Sequence, residues 1–194
     1  MGLLVMILGL VLFLGGHALS TQRKWRANLI ASWGEGAYKV GYALVALLGL
    51  VLIGWGFGHY QAAGIIEIWD PPHWIRHVTV ALMLPAVILV VAAYLRGRIY
   101  SAVKHPMLTG VKLWATAHLL ANGDLGGIIL FGSFLGWAVF DRISLKRRSD
   151  AGAPPIAVGG LTNDLLAVVI GVIAYLALGF VFHPVVIGLA VFGG

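Results

Sequence analysis

Residues 1–20 read "MGLLVMILGLVLFLGGHALS", a run without a charged side chain, in which His17 and Ser20 are the polar interruptions. As a helix rising 1.5 Å per residue, it is long enough to cross the ~30 Å hydrocarbon core of a bilayer. No basic segment precedes its apolar stretch and no small-residue cleavage site follows, so it reads as a retained first span, not a secretion signal. Starting at residue 3, this is the first of six such runs; the others cover 37–57, 75–95, 107–122, 126–140 and 165–192, the fourth being short. They lack the two-residue alternation of a transmembrane barrel. Helices are the remaining way to pair every backbone group in lipid.

Composition leads to the same class. The chain is 60% hydrophobic and 10% charged, whereas soluble domains carry about a quarter charged residues. Too few polar side chains exist to cover a water-facing surface. The expected fold is all-α: a polytopic membrane bundle of about six transmembrane helices, forming a single domain over residues 1–194.

The basic residues sort to one side. Arg23, Lys24 and Arg26 follow the first run; Arg96, Arg98 and Lys104 follow the third; Arg142, Lys146, Arg147 and Arg148 follow the fifth. Lys39 and Lys112 join them, and Arg76 falls opposite. By the positive-inside rule both termini are expected outside. The formal charge of +6 then reflects topology and contact with anionic membrane lipid, with no nucleic acid as partner. Trp69 and Trp74, in the outer loop, read as interfacial anchors. Residues 141–164 read as a cytoplasmic connector, basic at first and then Gly/Pro-rich.

Much chemistry is excluded. The chain has no cysteine, which removes disulfides, thiolate metal sites, Fe–S clusters and a cysteine nucleophile. No H-E-x-x-H, P-loop or G-x-S-x-G motif occurs. The carboxylates are few and sit at the rims: Glu35 and Asp141 inside; Glu67, Asp70 and Asp124 outside.

Seven histidines remain. His59 and His73 belong to the outer loop and His77 to the mouth of the third span. His183, before Pro184, marks a kink or helix end and reads as a packing residue. His118 is different. It lies about 16 Å into the fourth span, a depth at which ionisable groups face a bundle interior or a cavity. Trp114 and Asn122 flank it at i−4 and i+4, with Ala115 and Ala121 at i−3 and i+3, a face suited to a flat apolar ligand. His105 precedes Pro106 at the polar entrance of the same span. It stands about 20 Å from His118 along the axis and nearly opposite in direction, so the two cannot share one metal. A second ligand must come from another helix, and His17, after Gly15 and Gly16, is the best partner. Whether His105 or His183 replaces one of the pair is left open by the sequence.

These residues also carry a resemblance. "GGHALS" (residues 15–20), "GEGAYK" (34–39), "LMLPA" (82–86), "KHPMLTGVKLWATAHLLANGD" (104–124) and "FVFHPVVIG" (180–188) resemble the NnrU family of bacterial membrane proteins. That family shares a domain with the plastid 15-cis-zeta-carotene isomerases. The resemblance runs along essentially the whole chain and implies a multi-pass protein of the bacterial cytoplasmic membrane linked to nitrogen-oxide metabolism in denitrification. The isomerases hold haem b through two histidines whose positions match His17 and His118. Their cysteine three residues before the second histidine, implicated as an alternative ligand in redox switching, is Ala115 here, which puts an isomerase working by that switch in doubt.

Four functions compete. The first is a bis-histidine haem b protein handling nitric oxide or passing electrons, with His17 and His118 as metal ligands, Trp114, Asn122 and His105 lining the cofactor, and Arg96, Arg98 and Arg142 available to its propionates. The second is a haem-dependent polyene or carotenoid cis–trans isomerase. The third is a non-catalytic assembly partner of nitric oxide reductase components. The fourth is a membrane methyltransferase, because "KHPMLTG" (104–110) resembles the R-H-P-x-Y-x-G element of isoprenylcysteine methyltransferases; the aromatic residue and the later acidic, tyrosine-rich segment of those enzymes are missing.

Overall fold

In the computed structural model of the chain, residues 1–147 and 158–192 are described. They form eight α-helices and a π-helical segment: α1 (Gly2–Ser20), α2 (Arg23–Trp33), α3 (Glu35–Ala62), α4 (Ile75–Tyr94), α5 (Arg98–Val103), α6 (Pro106–Ala121), α7 (Leu125–Arg147) and α8 (Leu161–Ala177), the last continuing into the π-helical residues Leu178–Ile187. Among the described residues no strand occurs; one isolated antiparallel bridge joins Glu67 to Asp124. Among the described residues five helices are long and apolar enough to cross a membrane: Gly2–Ser20, Glu35–Ala62, Ile75–Tyr94, Leu125–Arg147 and Leu161–Ile187. The protein is therefore a multi-pass membrane protein.

The fourth expected span is the helix that falls short. α6 has 16 residues, about 24 Å of rise, because Pro106 opens it and Gly123 follows its end. Two other boundaries also moved. α7 continues through Asp141 to Arg147, so the first part of the expected connector is helical. Residues 148–157, including Arg148, lie outside the described residues, and α8 starts at Leu161. The 11-residue α2, "RKWRANLIASW", was not anticipated; none of its residues is buried.

The chain divides into two compact units. The first joins Met1–Asp70 with Asn122–Ser144. In it α1 and α3 run antiparallel at close range. A Cβ on Gly9 would meet the Ile53 nitrogen at 2.6 Å and the Gly49 oxygen at 2.7 Å; one on Gly56 would meet the Met6 Cα at 2.8 Å. Glycine at seven-residue spacing on both helices lets the backbones touch, which is how apolar helices associate where lipid is as oily as leucine. Where α3 ends, Tyr60 is 4% exposed and its hydroxyl accepts from the Ile66 amide at 2.9 Å. The amides of Ile68 and Trp69 both donate to the Gly123 carbonyl, fastening the loop after α3 to the start of α7.

The second unit joins Pro71–Ala121 with Leu145–Gly194. α4 packs on both α6 and α8. Gly110 of α6 faces the Ala86 carbonyl and Val90, and Gly171 of α8 faces Ile88. Polar ties join these helices: Thr79 donates to the Ala117 carbonyl at 3.1 Å, Tyr175 to the Val80 carbonyl at 3.2 Å. Asp164, 8% exposed, accepts the Ile99 amide at 2.9 Å and so fixes the start of α5.

Candidate functional site

His17 belongs to the first unit and His118 to the second. Each is prepared in the same way. The Nδ1 of His17 donates to the Phe13 carbonyl at 2.7 Å, and the Nδ1 of His118 donates to the Trp114 carbonyl at 2.9 Å. A carbonyl can only accept, so a neutral ring bonded this way carries its proton on Nδ1 and its lone pair on Nε2. Metal-ligating histidines are commonly oriented by such a bond from the other ring nitrogen to a backbone carbonyl. Helix periodicity produces it here, since the carbonyl four residues earlier lies beneath the side chain.

The surroundings of His17 are aromatic. Its ring centre lies 4.3 Å from that of Phe13, 5.4 Å from Tyr42 and 5.6 Å from Trp137, which meets it edge-on at 84°. The indole Nε1 of Trp137 is buried without a hydrogen-bond partner among the described residues. Buried tryptophan N–H groups are normally satisfied, so this donor beside His17 is suited to an acceptor on a bound group. Gly15 and Gly16 have open space at their Cβ positions, as expected of residues chosen to leave room.

His118 has Trp114 at 5.4 Å and, from the other end of its unit's chain, His183 at 6.2 Å with the two ring planes 25° apart. His183 was read as a packing residue, and the structure makes it a neighbour of His118. It comes from the π-helical segment, where Pro184 has no N–H to continue the α-ladder and the turn widens by one residue. There the His183 Nδ1 donates to the Leu178 carbonyl, five residues back, at 2.9 Å. Three imidazoles thus share one tautomeric arrangement. The signal that could have singled out His183 was "FHPVV": a proline inside an apolar run interrupts the helix, and interrupted helices cluster at functional sites.

The other expected site residues are placed less centrally. Ala115 is fully buried and fills helix packing. α6 stops at Ala121, so Asn122 lies past its end and outside the helical i+4 relation that grouped it with His118. His105 stands just before α6, after a strained turn. Lys104 has φ 65° and ψ −38°, and the His105 amide donates across it to the Val103 carbonyl at 2.8 Å. This is a γ-turn of the rare positive-φ kind. His59, expected in a loop, is in the last turn of α3, with its ring 4.6 Å from Trp55. Arg76 reaches the Ala190 and Val191 carbonyls near the end of the chain. Arg96 lies 5.2 Å over the ring of Tyr100. Among the described residues no group of three or more His, Asp or Glu side chains is disposed to hold a metal ion.

The NnrU family model, described as NnrU protein, matches residues 5–191. The chain belongs to the NnrU family. The match spans residues of both units, and the pieces that carried the resemblance, from "GGHALS" to "FVFHPVVIG", lie within it. No curated protein and no solved structure matches the chain.

Proposed function

We propose that this NnrU protein binds haem b in the bacterial cytoplasmic membrane, and that His118 would hold its iron. The observation that carries the reading is the shared tautomer of the intramembrane histidines, each turned into an Nε2 donor by a carbonyl of its own helix. The group fits the residues present. Imidazole nitrogen is a haem ligand, and the side chains beside His118, Trp114 and Ala115, are aromatic and apolar. When bound, haem supplies iron redox chemistry and a site for nitric oxide.

The chain's own part is to hold, orient and shield. The Trp114 carbonyl keeps the His118 ring from turning, and Trp114 and Ala115 exclude water from it. For the second ligand, His17 is the choice from sequence. His183 is the alternative from the structure: it lies in the same unit as His118, with ring centres 6.2 Å apart, so the two imidazoles could both hold the group. The link to denitrification rests on family membership, and isomerase chemistry and an assembly role with nitric oxide reductase remain its competitors. Six crossings with both termini outside complete the proposal.

Purified protein from a haem-sufficient host tests this reading. A Soret band is expected, lost or strongly shifted in His118→Ala. Of His17→Ala and His183→Ala, the variant whose iron becomes five-coordinate identifies the second ligand. Haem spectra unchanged in all three variants would dismiss these histidines as ligands.

A further inference from the structure

In the first unit, the corner where α1 turns through α2 into α3 holds a cleft of about 300 Å³ lined by Ser20, Arg26, Tyr38, Lys39 and Tyr42. We propose that this cleft is a binding site for the headgroup of one anionic phospholipid. It is independent of haem.

The lining suits a phosphate: two cations and three hydroxyls, with Tyr38 and Tyr42 stacked at 6.3 Å and 27°. Ser20 already donates to the His17 carbonyl at 2.7 Å, so its oxygen is held in place and its lone pairs remain acceptors; the phosphate donors are therefore Arg26, Lys39 and the two tyrosines. The competing anion is Glu35, whose carboxylate sits 2.8 Å from the Lys39 ammonium in an exposed pair. Such pairs are weak in water and readily exchanged for a phosphate that also meets Arg26.

The helix beside the cleft places it at a membrane surface. α2 joins two helices that cross the bilayer, carries Arg23, Lys24 and Arg26, and exposes Trp25 (68%) and Trp33 (62%). Basic residues interleaved with exposed tryptophan mark a helix lying in the headgroup layer, and anionic lipid is the partner whose charge matches. Tyr42 lines the cleft and also packs on His17, so an occupied headgroup site would brace the histidine from the polar side.

Native mass spectrometry of the full-length protein, released from nanodiscs of mixed phosphatidylglycerol and phosphatidylcholine, tests the site. Retention of phosphatidylglycerol in preference to phosphatidylcholine is expected, and Arg26→Gln with Lys39→Gln should weaken that preference roughly thirtyfold. Glu35→Gln, which removes the competing carboxylate, should strengthen it. Arg23→Gln with Lys24→Gln removes equal charge outside the cleft and should act much more weakly. Equal retention of both lipids by the unmodified protein would overturn the proposal, as would equal losses in the two double variants. Displacement of the lipid by millimolar inorganic phosphate would assign the cleft to free anions and overturn the lipid assignment.

Discussion

A histidine whose Nδ1 is bonded to the carbonyl one turn earlier has little freedom: its ring orientation and its tautomer are set together. His17, His118 and His183 share this arrangement, and replacing the imidazole removes both the ligand and the bond. Asparagine at 118 can keep a hydrogen bond to the Trp114 carbonyl but is a poor ligand. His118→Asn is therefore expected to retain helix content and thermal stability while losing haem, measured by circular dichroism and the Soret absorbance of the same sample. Equal haem in the variant and the unmodified protein would disprove the ligand assignment. His17 and His118 stood out in the sequence as candidates because an ionisable ring is costly at depth in lipid. The nearness of His183 to His118 was not legible there, because it depends on a widened helical turn and on the packing of α4 with α6 and α8, which spacing along the chain does not encode.

At the scale of helices, glycine decides which surfaces meet. Gly9→Val would drive a side chain into the backbone of α3 near Ile53 and is expected to cost about 1–3 kcal/mol. Gly54→Val, on the same helix pair but with open space at its Cβ position, should leave stability unchanged within error. Tryptophan fluorescence against SDS mole fraction compares them, and equal midpoints would refute the close α1–α3 contact. The turn at Lys104 makes a prediction of opposite sign. Glycine tolerates positive φ, so Lys104→Gly should stabilise the protein by about 1 kcal/mol through relief of strain; a loss of that size would show that the lysine side chain outweighs the backbone. The apolar runs marked five long helices, since a span must stay apolar throughout, but not all their ends: α3 continues past residue 57 to Ala62 and α7 past residue 140 to Arg147, where polar residues extend the helix. α2 escaped notice because its polar, basic sequence signals topology as strongly as structure. The π-helical segment escaped because a proline announces an interruption without saying how the backbone resolves it.

For the whole molecule, membrane residence was plain from composition, whereas the division into two units was not, since each unit is assembled from two separate stretches of the chain, with boundaries at 70/71, 121/122 and 144/145. The number of crossings turns on α6. With six, Leu189 emerges on the same side as Asp70; with five, on the opposite side. The natural lack of cysteine makes this directly measurable. Single substitutions Asp70→Cys and Leu189→Cys are both expected to react with an impermeant maleimide in intact spheroplasts, and Ser32→Cys only after permeabilisation. Protection of Leu189→Cys until the membrane is opened would reduce the count to five.

The most direct measurement is the absorption spectrum of the purified, unmodified protein beside that of His118→Ala, both produced with ample haem. A Soret band with low-spin reduced features in the first and its loss in the second is the expected outcome. A colourless unmodified protein, or two identical haem spectra, would remove the iron from His118 and the function proposed for it.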